Sequence, residues 1–274
     1  MGFNTNMVNL GLEPTPVKHP PVITLTTDFG TADPFAGIMK GVILSICPSA
    51  RVVDLTHQIP AQDVLAACLA LGDAYPYFPP HTIHLAVVDP GVGSSRAALW
   101  VRTAAAQFIA PDNGLLSFLG VDQILEVRRL ENQDLQLAPV SRTFHGRDLF
   151  APAAAHLARG VPAEALGPLA DDMVRVPLSA PHTSPTGVCG EILSFDHFGN
   201  AITNIRETHL PGPPGQVEVA GRLVPLAATY AGVAPGDPLA LFGSTGRLEV
   251  SVRNGRAKDT LGLVKGGTVR ISCA

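Results

Sequence analysis

The run VITLTT, residues 22–27, is apolar and β-branched and stops at the acidic turn DFG that begins with Asp28. The run IHLAVV, residues 83–88, has the same character and stops at the turn DPG that begins with Asp89. Short apolar runs bounded by Gly or Pro are typical of buried β-strands. Two such strands, each followed by a carboxylate, predict a sheet with acidic side chains at one edge.

Helix-compatible and strand-like segments alternate around these two runs. The predicted elements are a helix over 34–46, a strand over 51–55, a helix over 61–74, a strand pair over 98–103 and 107–110, and a helix over 148–158. This alternation predicts an α/β fold with a mostly parallel sheet and helices on both faces. Ligands of such sheets bind beyond the carboxyl ends of the strands, where Asp28 and Asp89 fall.

The character of the sequence changes after about residue 175. Short alternating runs, punctuated by Gly and Pro, follow a Pro-, Ser- and Thr-rich segment, and this pattern is typical of an antiparallel β-barrel. The runs cover 188–194, 216–220, 222–226, 238–242, 247–253 and 267–272. The predicted organisation is a flexible N-terminal tail (1–20), an α/β domain (21–176), a linker (177–186) and a C-terminal β-barrel domain (187–274).

Composition excludes several classes of protein. The net charge of -4 and the absence of a basic cluster argue against a nucleic-acid partner. No apolar run is long enough to span a membrane, and the first twenty residues do not have the order of a secretory signal, so we expect a cytoplasmic protein. The four cysteines are scattered, with no CxxC spacing, so neither a zinc site nor a disulfide framework is predicted.

Several polar residues lie at positions where they can serve either structure or chemistry. At a strand end, Asp28 can accept hydrogen bonds from both hydroxyls of a ribose, or it can cap a turn. Asp33 precedes the predicted helix and is either its cap or a second polar anchor. Arg96 follows Asp89 by seven residues across a Gly-rich turn that can fold it back onto the carboxylate. A buried pair would hold the guanidinium rigidly, whereas an exposed pair would contribute little.

Further candidates lie in loops. His145, in the segment TFHGRD, is either a satisfied structural histidine or a functional one with open space beside it at Gly146. In the segment FDHFGN, Asp196 and Asn200 can cap each other, or they can recognise an amine or an adenine edge. Ser244 lies in a Gly-bounded turn that leads into a strand.

Seven motifs occur in order from about residue 22 to residue 270. They are ITLTTDFG (23–30), DLTHQI (54–59), HLAVVDPGVGSSR (84–96), APDNGLLS (110–117), TFHGRDLFAPAAAHLARG (143–160), FDHFGN (195–200) and GSTGRLEVSV (243–252). Together they resemble the S-adenosylmethionine hydroxide adenosyltransferases, which are related to the fluorinating and chlorinating adenosyltransferases.

The resemblance implies an N-terminal α/β domain, a C-terminal β-barrel and a homotrimer. Its active sites would lie between one subunit's N-terminal domain and a neighbour's C-terminal domain. The substrate it implies is S-adenosylmethionine, hydrolysed to adenosine and methionine with no metal and no cofactor. The implied catalytic triad is Asp89, Arg96 and His145. The implied substrate-binding residues are Asp28 for the ribose, Asp33 and Asp196 for methionine, Asn200 and Ser244 for adenosine, Tyr75 or Tyr77 near the ribose, and also Gly146, Phe198, Glu249 and Val252.

One position separates the branches of these relatives. The fluorinase-like branch has Tyr-Ser where this chain has His145 and Gly146, and the chlorinating branch keeps the glycine but lacks the histidine. The histidine therefore favours water over a halide as the nucleophile. Two non-catalytic hypotheses remain open. A silent protein that binds adenosine or S-adenosylmethionine is disfavoured by the intact triad, and a structural interaction module leaves the acidic turns unexplained.

The chemistry fits these residue types. A sulfonium loses a neutral thioether, so only the nucleophile needs assistance. Arg96 can stabilise developing hydroxide, and His145 can accept a proton at neutral pH. Asp89 would orient Arg96 or the water. The sequence leaves open whether Arg96 or His145 removes the proton.

Overall fold

The computed structural model describes residues 20–273, so most of the predicted N-terminal tail lies outside the described residues. The first half of this range contains six strands and three α-helices. In chain order they are β1 (Val22–Thr27), α1 (Phe35–Ile46), β2 (Arg51–Thr56), α2 (Val64–Ala74), β3 (Ile83–Val87), β4 (Ala98–Thr103), β5 (Gln107–Pro111), β6 (Ile124–Arg129) and α3 (Ala151–Ala158). The second half contains β7 (His182–Ser184), β8 (Gly187–Phe195), β9 (Ala201–Arg206), β10 (Pro214–Val219), β11 (Arg222–Val224), β12 (Pro238–Phe242), β13 (Arg247–Val252), α4 (Ala257–Thr260) and β14 (Thr268–Cys273).

The predicted α/β class is confirmed, and the N-terminal sheet is mixed. Its strand order is β2-β1-β3-β5-β4-β6, with parallel pairing from β2 to β5 and antiparallel pairing of β4 with both β5 and β6. Strands β4 and β5 are joined by residues 104–106 alone, which is too short for the crossover that parallel strands require.

Both faces of this sheet are buried, which explains why its central strands are apolar without alternation. On one face, Ile23 and Leu25 of β1 belong to a core that also contains Met39 of α1 and Ala154 of α3. On the other face, a second core contains Ala86 of β3 and Leu71 of α2. The prediction of helices on both faces is therefore confirmed.

The C-terminal strands form the predicted antiparallel barrel. Their order is β11-β10-β14-β8-β9-β13-β12, with β7 paired to β8. A bridge between Leu226, just after β11, and Ala240 of β12 joins the two ends of this order. The barrel is thus nearly closed around a core that includes Val188, Ile205 and Val250.

The range 177–186, predicted as a linker, includes the short strand β7. It pairs antiparallel with β8, with His182 opposite Cys189. Among the described residues, two ion pairs connect the domains, one between Asp63 and Lys265 and one between Asp73 and Arg247 at 3.8 Å. Within residues 20–273, no helix is both long and apolar enough to cross a membrane.

Candidate functional site

Two acidic turns lie side by side where the parallel strands β1 and β3 end. Strands β1 and β3 are parallel neighbours, with Thr27 opposite Val87 in the register. Asp28 and Asp89 therefore follow neighbouring strands at the same end of the sheet. Carboxyl ends of adjacent parallel strands meet at one edge, which is where α/β sheets bind ligands.

Hydrogen bonds fix the turn that carries Asp28. Its Oδ2 accepts the N–H of Gln62 at 2.8 Å. The amide of Gly30 donates to the carbonyl of His57 at 2.7 Å, and Gly30 has a φ of 68°, which a glycine adopts without strain. Asp28 is half-buried and anchors the loop that precedes α2. The bond to Gln62 therefore joins two loops rather than capping the turn of Asp28 itself, and the second carboxylate oxygen is left as a candidate ribose acceptor.

The Asp89 and Arg96 side chains form a buried, bidentate ion pair. Arg96 Nε donates to both carboxylate oxygens, at 2.9 and 3.0 Å, and Nη2 also donates to Oδ2. The side chains of Asp89 and Arg96 are 5% and 11% exposed. The guanidinium also lies over the Phe150 ring, 5.3 Å from its centroid. Arg96 is thereby held in a single orientation, as a buried bidentate pair requires.

His145 completes the group of three. Arg96 Nη2 lies 2.8 Å from Nδ1 of the imidazole, so the same nitrogen contacts both the carboxylate and the histidine. An arginine only donates hydrogen bonds, so Nδ1 must be the acceptor. The neutral imidazole therefore carries its proton on Nε2, and the structure brings the three predicted catalytic residues together.

The surroundings of His145 keep the imidazole neutral. Burial lowers its pKa below the usual 6.5, and the charge of Arg96 lowers it further. Asp89, Asp148 and a hydrogen bond with the Ser141 backbone act in the opposite direction and are weaker. A neutral imidazole at physiological pH has a lone pair that can accept a proton.

Glycines shape the turn between Asp89 and Arg96. At Gly93, φ is 77°, and a Cβ would lie 2.5 Å from the Arg142 carbonyl oxygen. A Cβ at Gly91 would lie 3.3 Å from the Arg96 side chain. The turn therefore returns Arg96 to Asp89 and approaches the loop of His145 only because side chains are absent there.

Gly146 does not leave open space beside the imidazole, contrary to the sequence-based interpretation. It is buried, and a Cβ there would lie 3.1 Å from Met39 Sδ and 3.2 Å from the Phe144 ring. The residue begins a single π-helical turn, Gly146–Phe150, that leads into α3. Such turns are rare and are frequent at functional sites. The absence of a side chain serves close packing next to His145.

Asp33 lies in the loop between β1 and α1, whereas the two candidate tyrosines lie at the other end of the sheet. Asp33 is exposed and does not cap α1, whose N-cap is Pro34 without a side-chain hydrogen bond. Tyr75 packs edge-on against Phe108, with ring centroids 5.3 Å apart, near the beginnings of β3 and β5. Tyr77 is exposed nearby. In the single chain, the tyrosines therefore lie at the end of the sheet opposite Asp28 and Asp89.

The remaining candidates belong to the barrel domain. Asn200 donates to Asp196 through its backbone N–H at 2.8 Å and through Nδ2 at 2.9 Å, so these two residues do cap each other. Phe198, which is 70% exposed, lies with Asn200 and Val252 around a pocket of about 690 Å³. All residues that line this pocket come from the barrel domain, and its volume is that of a small-molecule site.

A second cleft, of about 480 Å³, separates the barrel from α2 and is lined by Asp196, Ser244 and Glu249. Glu249 is buried, and its Oε1 accepts hydrogen bonds from Tyr230 at 2.6 Å and Ser251 at 2.7 Å. Sequence reasoning missed Tyr230, which also lines the pocket beside Phe198. It belongs to no motif, and its pairing with Glu249 depends on barrel closure. Among residues 20–273, no cluster of three or more His, Cys, Asp or Glu side chains is placed to hold a metal ion.

These features define a class of protein: an α/β domain with an Asp–Arg–His group at its sheet edge, followed by a β-barrel that carries a separate pocket. The chain belongs to the S-adenosylmethionine hydroxide adenosyltransferase family, whose N-terminal domain matches residues 23–167 and whose C-terminal domain matches residues 190–270.

Individual relatives agree with this assignment. The (R)-S-adenosyl-L-methionine hydrolase of Thermus thermophilus is 43% identical over 256 residues, covering 89% of this chain and 97% of that protein. The crystal structure of an uncharacterized conserved protein from Thermotoga maritima superposes with a TM-score of 0.86 at 35% identity, covering 92% of this chain and 100% of that one. A fluorinase of an Actinoplanes species is more distant, at 30% identity over 274 residues, or 86% of this chain and 92% of that protein.

Proposed function

We propose that this protein hydrolyses S-adenosylmethionine at the ribose C5′ carbon and releases adenosine and methionine. The observation that carries the proposal is the contact of one Arg96 nitrogen with both Asp89 and Nδ1 of His145, in a partly buried position at the sheet edge. The name of the Thermus relative points to the (R)-sulfonium epimer as the substrate.

The triad provides what a water nucleophile needs. Bulk water, with a pKa of about 15.7, must be oriented and must lose a proton as it attacks. Arg96 Nη2 and His145 Nδ1 are in direct contact, so the attacking water must displace that contact; it then accepts a hydrogen bond from Nη2 and donates one to Nδ1. The oxygen then bonds to C5′, the C5′–S bond breaks with its electron pair left on the neutral thioether of methionine, and the proton passes to Nδ1. Arg96 cannot be the base because it stays protonated.

Asp89 contributes orientation and charge. Its bidentate bonds direct the remaining Nη2 hydrogen at His145 and hold the guanidinium where negative charge develops on the oxygen. Holding the water in line with the C5′–S bond removes part of the entropic barrier, an effect worth up to about 7–11 kcal/mol in well-oriented reactions.

We assign the substrate to two surfaces. Asp28, beside Asp89, binds the ribose diol, while the pocket around Phe198, Asn200 and Val252 receives the adenine. Supporting this division, the triad belongs to the α/β domain and the pocket lining belongs wholly to the barrel. A homotrimer in which one subunit's triad faces a neighbour's pocket would join the two surfaces. In that arrangement Asp33 and Asp196 lie on the methionine side, and Ser244 lies on the adenosine side with Asn200.

A halide as nucleophile is the second candidate, since a fluorinase is a relative. The contact between His145 and Arg96 favours water, because a halide has no proton to give and gains nothing from the Nδ1 lone pair.

Isotopic oxygen tests the proposal directly. Purified protein treated with a chelator and incubated with S-adenosylmethionine in H₂¹⁸O is expected to form adenosine with the label in its 5′-hydroxyl, because water attacks carbon. Mass spectrometry of adenosine and methionine measures the outcome. Label in methionine, 5′-halogenated adenosine in the presence of chloride, or activity that returns only with added metal would each refute the mechanism.

A further inference from the structure

The Asp148 carboxylate is buried next to the triad, and the mechanism above does not use it. Its side chain is 2% exposed. Oδ1 accepts from Arg147 Nε at 2.5 Å, and Oδ2 accepts from Arg147 Nη2 at 2.9 Å. Oδ2 also accepts the backbone N–H of Ser141 at 2.8 Å, from the opposite side of the loop that carries His145. The carboxylate thus joins the two ends of that loop.

Ser141 connects the Asp148 carboxylate to the backbone next to His145. Its Oγ accepts the backbone N–H of Phe144 at 2.9 Å, directly before His145. The Ser141 backbone also raises the pKa of the His145 imidazole, so it lies close to the ring. One carboxylate therefore holds the residue that fixes the peptide before His145 and lies beside its ring.

The main chain of Asp148 adds two further bonds to the same loop. Its N–H donates to the Phe144 carbonyl at 3.2 Å, and its carbonyl accepts the N–H of Leu137 at 2.8 Å. Together with the close packing of Gly146, these contacts fix the backbone on the C-terminal side of His145. A residue whose only function were to stabilise α3 would not need to bond back to position 141.

We propose that Asp148 is a positioning residue that fixes the His145 imidazole against Arg96 for proton transfer. The proposal rests on the proposed function, since it assigns to His145 the role of accepting a proton from water. Asp148 itself acts through Ser141 and touches neither water nor substrate.

Two substitutions of Asp148 test whether the oxygen that accepts the Ser141 N–H is what matters. In Asp148→Ala, kcat should fall about 10- to 100-fold, because misplacement of a catalytic group by about 1 Å costs this much. KM for S-adenosylmethionine should change little. Asp148→Asn keeps an oxygen that accepts the Ser141 N–H, so it should recover most of the lost kcat. Equal losses in the two variants, or a loss confined to KM, would overturn the proposal.

A double-mutant cycle with His145→Ala distinguishes positioning from general stability. Once the imidazole is absent, Asp148→Ala should reduce kcat no further, because the two residues act as one unit. If the loss is the same in both backgrounds, Asp148 is merely structural. Where Asp148→Ala yields too little folded protein, Ser141→Ala completes the cycle, since it removes the acceptor of the Phe144 N–H and leaves the carboxylate intact.

Glu126→Gln is the matched control. Glu126 is a carboxylate of the same domain, 15% exposed and paired with Arg102 and Arg128, but it lies on β6. Its replacement should leave kcat unchanged. If the wild-type protein forms no adenosine, the proposed function fails. If the wild-type protein is active and Asp148→Ala is equally active, the positioning role alone fails.

Discussion

At the residue scale, the site depends on one nitrogen with two partners. Nη2 of Arg96 contacts a carboxylate oxygen and an imidazole nitrogen together, so the guanidinium sets the tautomer of His145 and helps to lower its pKa. Removing a partner from such a group leaves a buried charge without compensation. The three side chains are therefore expected to act as one unit on one water molecule.

His145→Ala should lower kcat by about 100-fold or more, the usual scale for loss of a general base. Binding of adenosine should change little, since the flanking glycine turn does not require the imidazole. Because the pKa of His145 lies below 6.5, the wild-type kcat/KM should stay level through neutral pH and decline only as pH falls through that lowered pKa. In the variant this decline should disappear. Steady-state kinetics from about pH 5 to about pH 9 measure both effects, because the pH dependence of kcat/KM reports the pKa of an essential base in the free enzyme.

Arg96→Ala provides the partner experiment for the same prediction. It should cost at least as much turnover, because Asp89 also loses its counter-ion. Combined with His145→Ala, the total loss should be far below the product of the two separate losses. Near wild-type turnover in His145→Ala across the pH range would instead make the histidine structural and leave the water to Arg96 and Asp89.

At the element scale, the acidic turns could be predicted because each follows a short apolar run with a clear strand pattern. The pairing of Asp89 with Arg96 follows from a seven-residue Gly-rich turn. Contact with His145, 49 positions beyond Arg96, depends on the packing of α1 and α3, and only the family resemblance indicated it. The π-helical turn at 146–150 has no periodic signature that a sequence could reveal.

The missed strands have physical explanations as well. Strand β6 is an edge strand that mixes apolar residues with Glu126 and two arginines, so its pattern resembles a polar connection. Strand β9 begins directly after the turn at Asn200, and its sequence AITNIR is short and partly polar. Both owe their β-structure to neighbouring strands rather than to local preference.

The turn after β1 supplies the element-scale prediction. Asp28→Ala should weaken binding of adenosine and S-adenosylmethionine but leave binding of 2′,3′-dideoxyadenosine nearly unchanged, because only the diol ligands use the carboxylate. Calorimetric titration compares the ligands. Asp28→Asn is the matched control, since its amide oxygen still accepts the Gln62 N–H from the loop that precedes α2. Equal losses for both nucleosides in Asp28→Ala would limit Asp28 to holding these two loops together.

At the scale of the whole molecule, the candidate residues form two groups that one chain keeps apart. The triad and Asp28 lie at the edge of the α/β sheet, whereas Phe198, Asn200 and Val252 surround a pocket formed by the barrel alone. Exposed apolar side chains on α1, including Phe35 and Ile38, lie near the acidic edge. Phe35 and Ile38 are 41% and 37% exposed, so they are available to contact a neighbouring subunit of the proposed homotrimer.

Mixed assemblies test whether the site is shared between subunits. Arg96→Ala damages only the α/β domain's surface, and Phe198→Asp damages only the barrel pocket. If each site combines one subunit's triad with a neighbour's pocket, randomly mixed trimers of these two inactive variants regain about a quarter of the wild-type sites. Co-expressing the two variants and measuring adenosine release per trimer gives the result, with sedimentation to establish the trimer. Two variants damaged on the same surface, Arg96→Ala and His145→Ala, should regain nothing when mixed. Restored activity in the first mixture alone requires a shared site, whereas no restoration, or an active monomer, would place the whole site within one chain.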